Sequence, residues 1–230
     1  MKTLKNTIEF KYLFLFMILG IAALTSCTKN DDEATANVSA YVMLTNSAEG
    51  SSAQDFYLDN TKLNTTAMAY TQSSGYLATS SGNHTAMFTN SGSTTANASL
   101  SLSVQGGQYY SVYFTGGSTA SSNSYVTTQD DLTAPASGKA KVRFIQLSSA
   151  LTTSVDFGIS ATNKLVSGLA YKAASAYYAV DANTTFFLYA SGSTTASLNI
   201  PVVIQAGKIY TIYVSGTTTA TLTYHIVAQN

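Results

Sequence analysis

Gln105-Gly106-Gly107-Gln108-Tyr109-Tyr110-Ser111-Val112-Tyr113-Phe114-Thr115-Gly116 returns later in the chain as Gln205-Ala206-Gly207-Lys208-Ile209-Tyr210-Thr211-Ile212-Tyr213-Val214-Ser215-Gly216. Gln, Gly, Tyr, Tyr and Gly recur at identical spacing, and most other positions exchange like for like. Both stretches read as strands, since β-branched and aromatic side chains fit a pleated, half-buried surface. Successive side chains of a strand point to opposite faces. Tyr110, Val112 and Phe114 therefore share one face, as do Tyr210, Ile212 and Val214. That face is the more apolar in both copies and is assigned to a core. Tyr109, Ser111 and Tyr113 fall on the other face, which is expected to be open. Gly107 and Gly207 sit in the turn ahead of the strand, where a positive φ is cheap only for Gly.

The repetition extends upstream. Ser91-Gly92-Ser93-Thr94-Thr95-Ala96 matches Ser191-Gly192-Ser193-Thr194-Thr195-Ala196. Asp55-Phe56 matches Asp156-Phe157 and Ala69-Tyr70 matches Ala170-Tyr171, one residue out of phase. The copies are placed at 38–129 and 140–230, with 130–139, containing Pro135 and Gly138, as connector. A period of about one hundred residues is too long for a solenoid and has the size of an immunoglobulin-type sandwich. Short β-branched or aromatic runs separated by Ser, Gly and Asn clusters fill both copies: 38–45, 54–58, 76–79, 85–89, 99–104 and 109–115, then 142–147, 154–159, 176–180, 185–190, 198–204 and 209–215. The expected fold is all-β, two tandem immunoglobulin-like Greek-key β-sandwich domains. A Gly turn followed three residues later by a buried Tyr has the form of the tyrosine corner of such sandwiches, in which the hydroxyl bonds to backbone upstream. Tyr110, Tyr210, Gly107 and Gly207 are thus expected to be structural.

Composition excludes several functions. The chain has 230 residues, eleven basic and eleven acidic, and Arg143 is its single Arg. It therefore lacks the basic footprint of a nucleic-acid binder. One Cys rules out an internal disulfide framework or a cysteine-rich zinc site. Two His leave little for a histidine metal cluster, and neither a metal nor a cofactor is expected.

The first residues read as an address rather than as fold. Lys2, Lys5 and Lys11 precede an apolar run from Tyr12 to Leu24. Helical, that run covers ~20 Å, short of the ~30 Å bilayer core. It is followed by Leu24-Thr25-Ser26-Cys27, which resembles the lipobox of bacterial lipoproteins. The resemblance implies a signal peptide at 1–26 and a diacylglycerol on the Cys27 sulfur, making the membrane a partner through the lipid. Removing the signal peptide takes three Lys and one Glu and leaves two net negative charges. Lys29, Asp31, Asp32 and Glu33 lie in a flexible tether, 27–37, and resemble the acidic signal that sends lipoproteins to the outer face of the outer membrane in one group of Gram-negative bacteria. The expected location is therefore the outer membrane, facing the exterior.

Little in the chain suggests catalysis. A Ser–His–acid centre needs an oriented His, but His84 and His225 do not recur between copies, and no nucleophile elbow surrounds any Ser. Asp55 and Asp156 are the equivalent acids, and an Asp at a strand start is commonly a turn cap. Asp130 and Asp131 could hold a cation in the connector, but a hard cation wants six to eight oxygens and no third acid is near in sequence. No catalytic residue is assigned. Tyr109, Tyr113, Tyr177, Tyr178 and Tyr213 are the candidate ligand-contact aromatics, because Tyr joins an apolar body to a polar tip. A glycan or a protein is the candidate ligand. The expectation is a non-catalytic envelope lipoprotein acting as an adhesion or ligand-binding module, with a structural spacer as the alternative.

The segment from Asp130-Asp131-Leu132-Thr133-Ala134-Pro135 through Ser137-Gly138-Lys139-Ala140-Lys141-Val142-Arg143-Phe144-Ile145 resembles the inter-repeat signature of the domain of unknown function 4397 family. The stretches at 106–116 and 206–216 resemble its Gly-Lys-x-Tyr-Thr strand motif. The resemblance spans 38–230 and implies tandem sandwiches in a secreted or lipid-anchored bacterial protein. It brings no activity and no functional residues.

Overall fold

The structure, a computed structural model, describes residues 38–116 and 124–230. The signal segment, Cys27, the tether and its Lys29, Asp31, Asp32 and Glu33 lie outside the described residues. The described part is all-β. The first copy runs β1 Ala40–Asn46, β2 Gln54–Leu58, β3 Thr61–Lys62, β4 Ser73–Thr79, β5 Gly82–Asn90, β6 Ala96–Val104, β7 Tyr109–Thr115 and β8 Ser124–Asp130. The second runs β9 Lys139–Gln146, β10 Val155–Gly158, β11 Lys164–Leu169, β12 Ala174–Asp181, β13 Phe186–Ala190, β14 Ala196–Ile200, β15 Ile209–Ser215 and β16 Thr223–Ala228.

Each copy is two four-stranded sheets, and the strand orders are duplicates. β4-β1-β7-β8 faces β3-β2-β5-β6 in the first, and β12-β9-β15-β16 faces β11-β10-β13-β14 in the second. Neighbours are antiparallel except β1 with β7 and β9 with β15, which run parallel. Such a pair cannot be joined by a hairpin, so the chain crosses to the second sheet and back between them. Val42, Leu44, Phe56, Phe88, Val112 and Phe114 fill the first core. Val142, Phe144, Phe157, Leu188, Ile212 and Val214 fill the second.

The repeated turn motifs have a physical reason. Gly92 and Gly192 take φ of 75° and 78° in the Ser-Gly-Ser turns. Their N–H groups donate to the carboxylates of Asp55 (3.1 Å) and Asp156 (3.0 Å). These two acids cap turns. The Tyr110 ring is buried, and its hydroxyl accepts the N–H of Gln105 at 3.1 Å. Tyr210 does the same with Gln205 at 3.2 Å, behind Gly207 at φ 81°.

Four strands fall outside the sequence expectation: β3, β8, β11 and β16. β3 has only two residues, after a turn in which Asp59 and Asn60 both have positive φ, as a tight hairpin requires. β11 carries Gly168 at φ 68°, which breaks its pattern. β8 and β16 are half-polar edges that follow Ser/Thr-rich stretches.

A third cluster of buried side chains belongs to neither core. Met43, Tyr113 and Val126 from the first copy meet Ile145, Leu147, Tyr213 and Val227 from the second. The sheets β4-β1-β7-β8 and β12-β9-β15-β16 thus pack their outer faces on each other, and the two sandwiches are fused along this seam. The face carrying Tyr109, Ser111 and Tyr113 is therefore covered at Ser111 and Tyr113 instead of open, and Tyr109 at its end is half-buried. Tyr113 and Tyr213 are both 0% exposed, with ring centroids 5.9 Å apart. A strand buried on both faces loses its polar alternation, and β15, Ile209–Ser215, is buried at every position.

Candidate functional site

The seam is organised around the only Arg of the chain. Arg143 lies on β9 beside Thr211 of β15 and is 2% exposed. Its Nη2 donates to Asp130 Oδ1 at 2.7 Å and to Thr211 Oγ1 at 3.0 Å, and its Nη1 donates to the Gln129 carbonyl at 3.1 Å. Asp130 Oδ2 accepts from Tyr76 (2.8 Å) and Ser111 (2.5 Å). The Arg143 guanidinium also lies 4.8 Å from the centre of the Tyr177 ring. Tyr177 donates to Gln229 Oε1 at 2.7 Å, and Gln229 Nε2 donates to the Tyr76 hydroxyl at 3.3 Å. Burial, then the Asp130 charge, pushes the Tyr76 phenol far above its ordinary pKa, so it remains a donor. Removing one partner of such a pair strands a buried charge, at a cost of about 3–5 kcal/mol. Asp130 is therefore tied to Arg143 in the seam.

The opposite end of the seam is hydroxyl-rich. The Tyr70 hydroxyl lies 2.7 Å from Ser215 Oγ and 3.3 Å from His225 Nε2, and Ser215 Oγ lies 2.9 Å from the same nitrogen. His225 is held between the Tyr70 and Tyr213 rings, at 5.5 and 4.8 Å, and burial lowers its pKa. Ser215 is 1% exposed and bonded to the Tyr70 hydroxyl, whereas Tyr70 and His225 are each half-buried. Nearby, Glu49 Oε2 of the first copy accepts the Thr217 N–H (2.6 Å) and the Thr217 and Thr221 hydroxyls (both 2.9 Å) of the second. Burial opposes, but these bonds hold its carboxyl below the usual range.

At the Asp130 end a cleft of ≈ 580 Å³ opens beside the seam, lined by Gln108, Tyr109, Gln129 and Asp130–Thr133. Tyr109 is half-buried, stacked on Tyr41 at 4.7 Å and edge-on to Tyr76 at 5.0 Å. Lys141 Nζ reaches Asp131 Oδ2 at 2.7 Å and the Thr133 carbonyl at 2.8 Å. The Lys141 bond, followed by those from Thr133, pulls the Asp131 carboxyl down to about 2. The connector acids are thus each matched to a cation of the second copy.

The candidate aromatics separate into three groups. Tyr113 and Tyr213 are interior and unavailable for stacking. Tyr177 is half-buried under Arg143, and Tyr178 packs against the second core, 6.5 Å from Phe144. Tyr109, of the five, lines the cleft at the Asp130 end. Sequence reasoning missed Arg143, Tyr41, Tyr76, Gln108 and Gln129. A lone Arg inside the apolar run Val142-Arg143-Phe144-Ile145 was the available signal, because an unpaired Arg is almost never buried. His84 is also interior, with Nδ1 2.7 Å from Asp59 Oδ2 and Nε2 3.0 Å from the Ser80 carbonyl. Among the described residues no three His, Cys, Asp or Glu side chains gather to hold a metal ion.

Fold and seam define a double β-sandwich with one shared polar interface. The chain belongs to the family described as Domain of unknown function (DUF4397), whose family model matches residues 40–157. That match spans the first sandwich, the connector and the first two strands of the second, so it includes both Asp130 and Arg143. No curated protein matches the chain. Among solved structures it is similar to the crystal structure of CBMbc (family CBM26) from Eubacterium rectale Amy13K in complex with maltoheptaose. Identity is 13% and the TM-score 0.27, over 83% of this chain and 96% of that one.

Proposed function

We propose that the protein is a non-catalytic, lipid-anchored envelope protein that holds a fused double sandwich outside the outer membrane as a ligand-binding module. The observation that carries this reading is the division of polar groups between seam and cleft. Arg143, Asp130 and Thr211 are spent on joining the copies, whereas Tyr109, Gln108 and Gln129 line an accessible cleft. The Leu24–Cys27 lipobox resemblance supports the anchor, and Lys29, Asp31, Asp32 and Glu33 support the outward address. A spacer role draws support from the seam itself, since fusing two sandwiches stiffens the molecule.

The test is protease accessibility on intact cells, with the wild type beside an Asp31/Asp32/Glu33→Ala variant. The expected result is digestion of the wild type and protection of the variant. Protection of both would place the sandwiches inside and transfer the reading to an envelope spacer.

A further inference from the structure

The double sandwich has two unlike ends. β1, β7, β9 and β15 all start at the end that carries the connector, and β8 and β16 finish there. Both copies point the same way, because Asp130, which closes β8, meets Arg143 of β9, while Tyr70 meets Ser215 at the opposite end. Segment 201–208 leads into β15 at the connector end. Turn 159–163 follows Gly158, which pairs with Phe187 next to the Phe186–Ile200 pair, and so falls at that end too.

Among the described residues four large apolar side chains are exposed, and three of them lie at the connector end: Val38 (55%), Ile159 (36%) and Val203 (76%). The fourth, Ile226, is mid-strand, opposite Ile212. The opposite end, with Glu49 and the Thr217–Thr221 turn, carries none. A single exposed apolar side chain is ordinary, so what needs a cause is their gathering at one end. The fold does not demand it, since the first copy has an exposed Ser103 where the second has Val203.

Val38 is also where the chain arriving from Cys27 enters the first sandwich. Even fully extended, the steps from Cys27 to Val38 reach no more than about 40 Å. The seven residues of β7 or β15 put the opposite end roughly 20 Å further away. A lipid on Cys27 therefore keeps the connector end nearest the bilayer and makes contact with it intramolecular, so that weak apolar contacts suffice. Lys139 is paired with Asp181 and Lys141 with Asp131, so these cations are not free to select an anionic surface.

We infer that the connector end rests on the lipid bilayer that holds the anchor, with Val38, Ile159 and Val203 entering its surface and the Glu49 end facing outward. The inference rests on the lipid-anchored reading above, and it turns the cleft at Asp130–Thr133 towards the membrane.

The experiment uses the full lipidated chain in phosphatidylcholine vesicles whose headgroups carry a nitroxide quencher. A fluorophore is placed on Val203→Cys or, separately, on Thr219→Cys, both exposed positions. The chain has a single Cys, so a lipid on the Cys27 sulfur leaves the introduced thiol as the one labelled. Most of the emission at 203 should be lost and little of that at 219. Adding Val38→Ser and Ile159→Ser, both exposed changes, should restore most of the emission at 203 while the chain still floats with the vesicles. Weak quenching at both labels, or stronger quenching at 219, in a chain that floats would overturn the inference and leave the anchor standing. Quenching at 203 that survives the two Ser changes, or that added salt abolishes, would overturn the apolar contact. A wild-type chain that takes the label at Cys27 and fails to float would overturn both readings.

Discussion

Met43 and Arg143 hold the same place in two copies of one strand, yet one is a thioether in an apolar cluster and the other a buried cation. Met43 lies beside Ser111 and Arg143 beside Thr211. Across the hairpin, Asp130 stands opposite Tyr109 where Gln229 bonds to Ile209. The two sandwich cores keep the same plan, with Phe56 answering Phe157 and Val112 answering Ile212. The outer faces that meet in the seam have instead diverged into complementary partners. A duplicated surface that pairs with its own copy can be self-complementary, but here charge is divided, Arg on one side and Asp on the other. The difference teaches that the framework is repeated while the contact between frameworks is specific to this tandem.

The largest expected effect tests that division. Arg143→Met, which installs the first copy's residue, should destabilise the full chain by about 3–5 kcal/mol in urea unfolding, because Asp130 is left buried without its cation. Adding Asp130→Gln, the residue at the Gln229 position, should recover most of the loss, since a neutral amide is far cheaper to bury than an unpaired carboxylate. A double variant no better than the single would break the comparison.

The same contrast explains what the sequence made legible. The tandem sandwiches, the core face of β7 and β15, and the corner tyrosines could be read because each depends on local spacing within one copy. The seam could not. Whether Tyr113 meets solvent or Tyr213 depends on how two folded units dock, and nothing within 109–115 encodes the partner. Asp130 looked like a connector acid because its cation is distant in strand position, although only thirteen residues away in sequence. Tyr109 was readable as a candidate, but its separation from Tyr113, four residues along the same strand and on the same face, required the seam to be seen.

Smaller effects sharpen the comparison. Tyr110→Phe and Tyr210→Phe each remove one acceptor, from the Gln105 and Gln205 N–H groups respectively. Each should cost about 1 kcal/mol, and near-equal values in chemical denaturation would show that the corners are equivalent where the seam faces are not.

The smallest is a pH effect. His225 stands opposite Tyr213, where Val126 stands opposite Tyr113. Burial holds its pKa below the ordinary value of 6.5. The unfolded chain therefore takes up a proton first as pH falls, and stability declines below about 6.5 until the folded state also protonates. The melting temperature of His225→Val should be flatter than that of the wild type across this window. Glu49 acts in a separate window: its lowered pKa contributes stability that is present above the ordinary 4.5 and lost as pH falls below it. The His225 variant should leave that lower limb in place.

The central claim is that the two copies fold as one cooperative body, held by the Arg143–Asp130 pair and the tyrosines packed around it. Differential scanning calorimetry of the full chain tests this most directly. The account predicts a single transition with equal calorimetric and van't Hoff enthalpies, splitting in Arg143→Met. Two separated transitions in the wild type would contradict it, showing two independent sandwiches joined only by a connector.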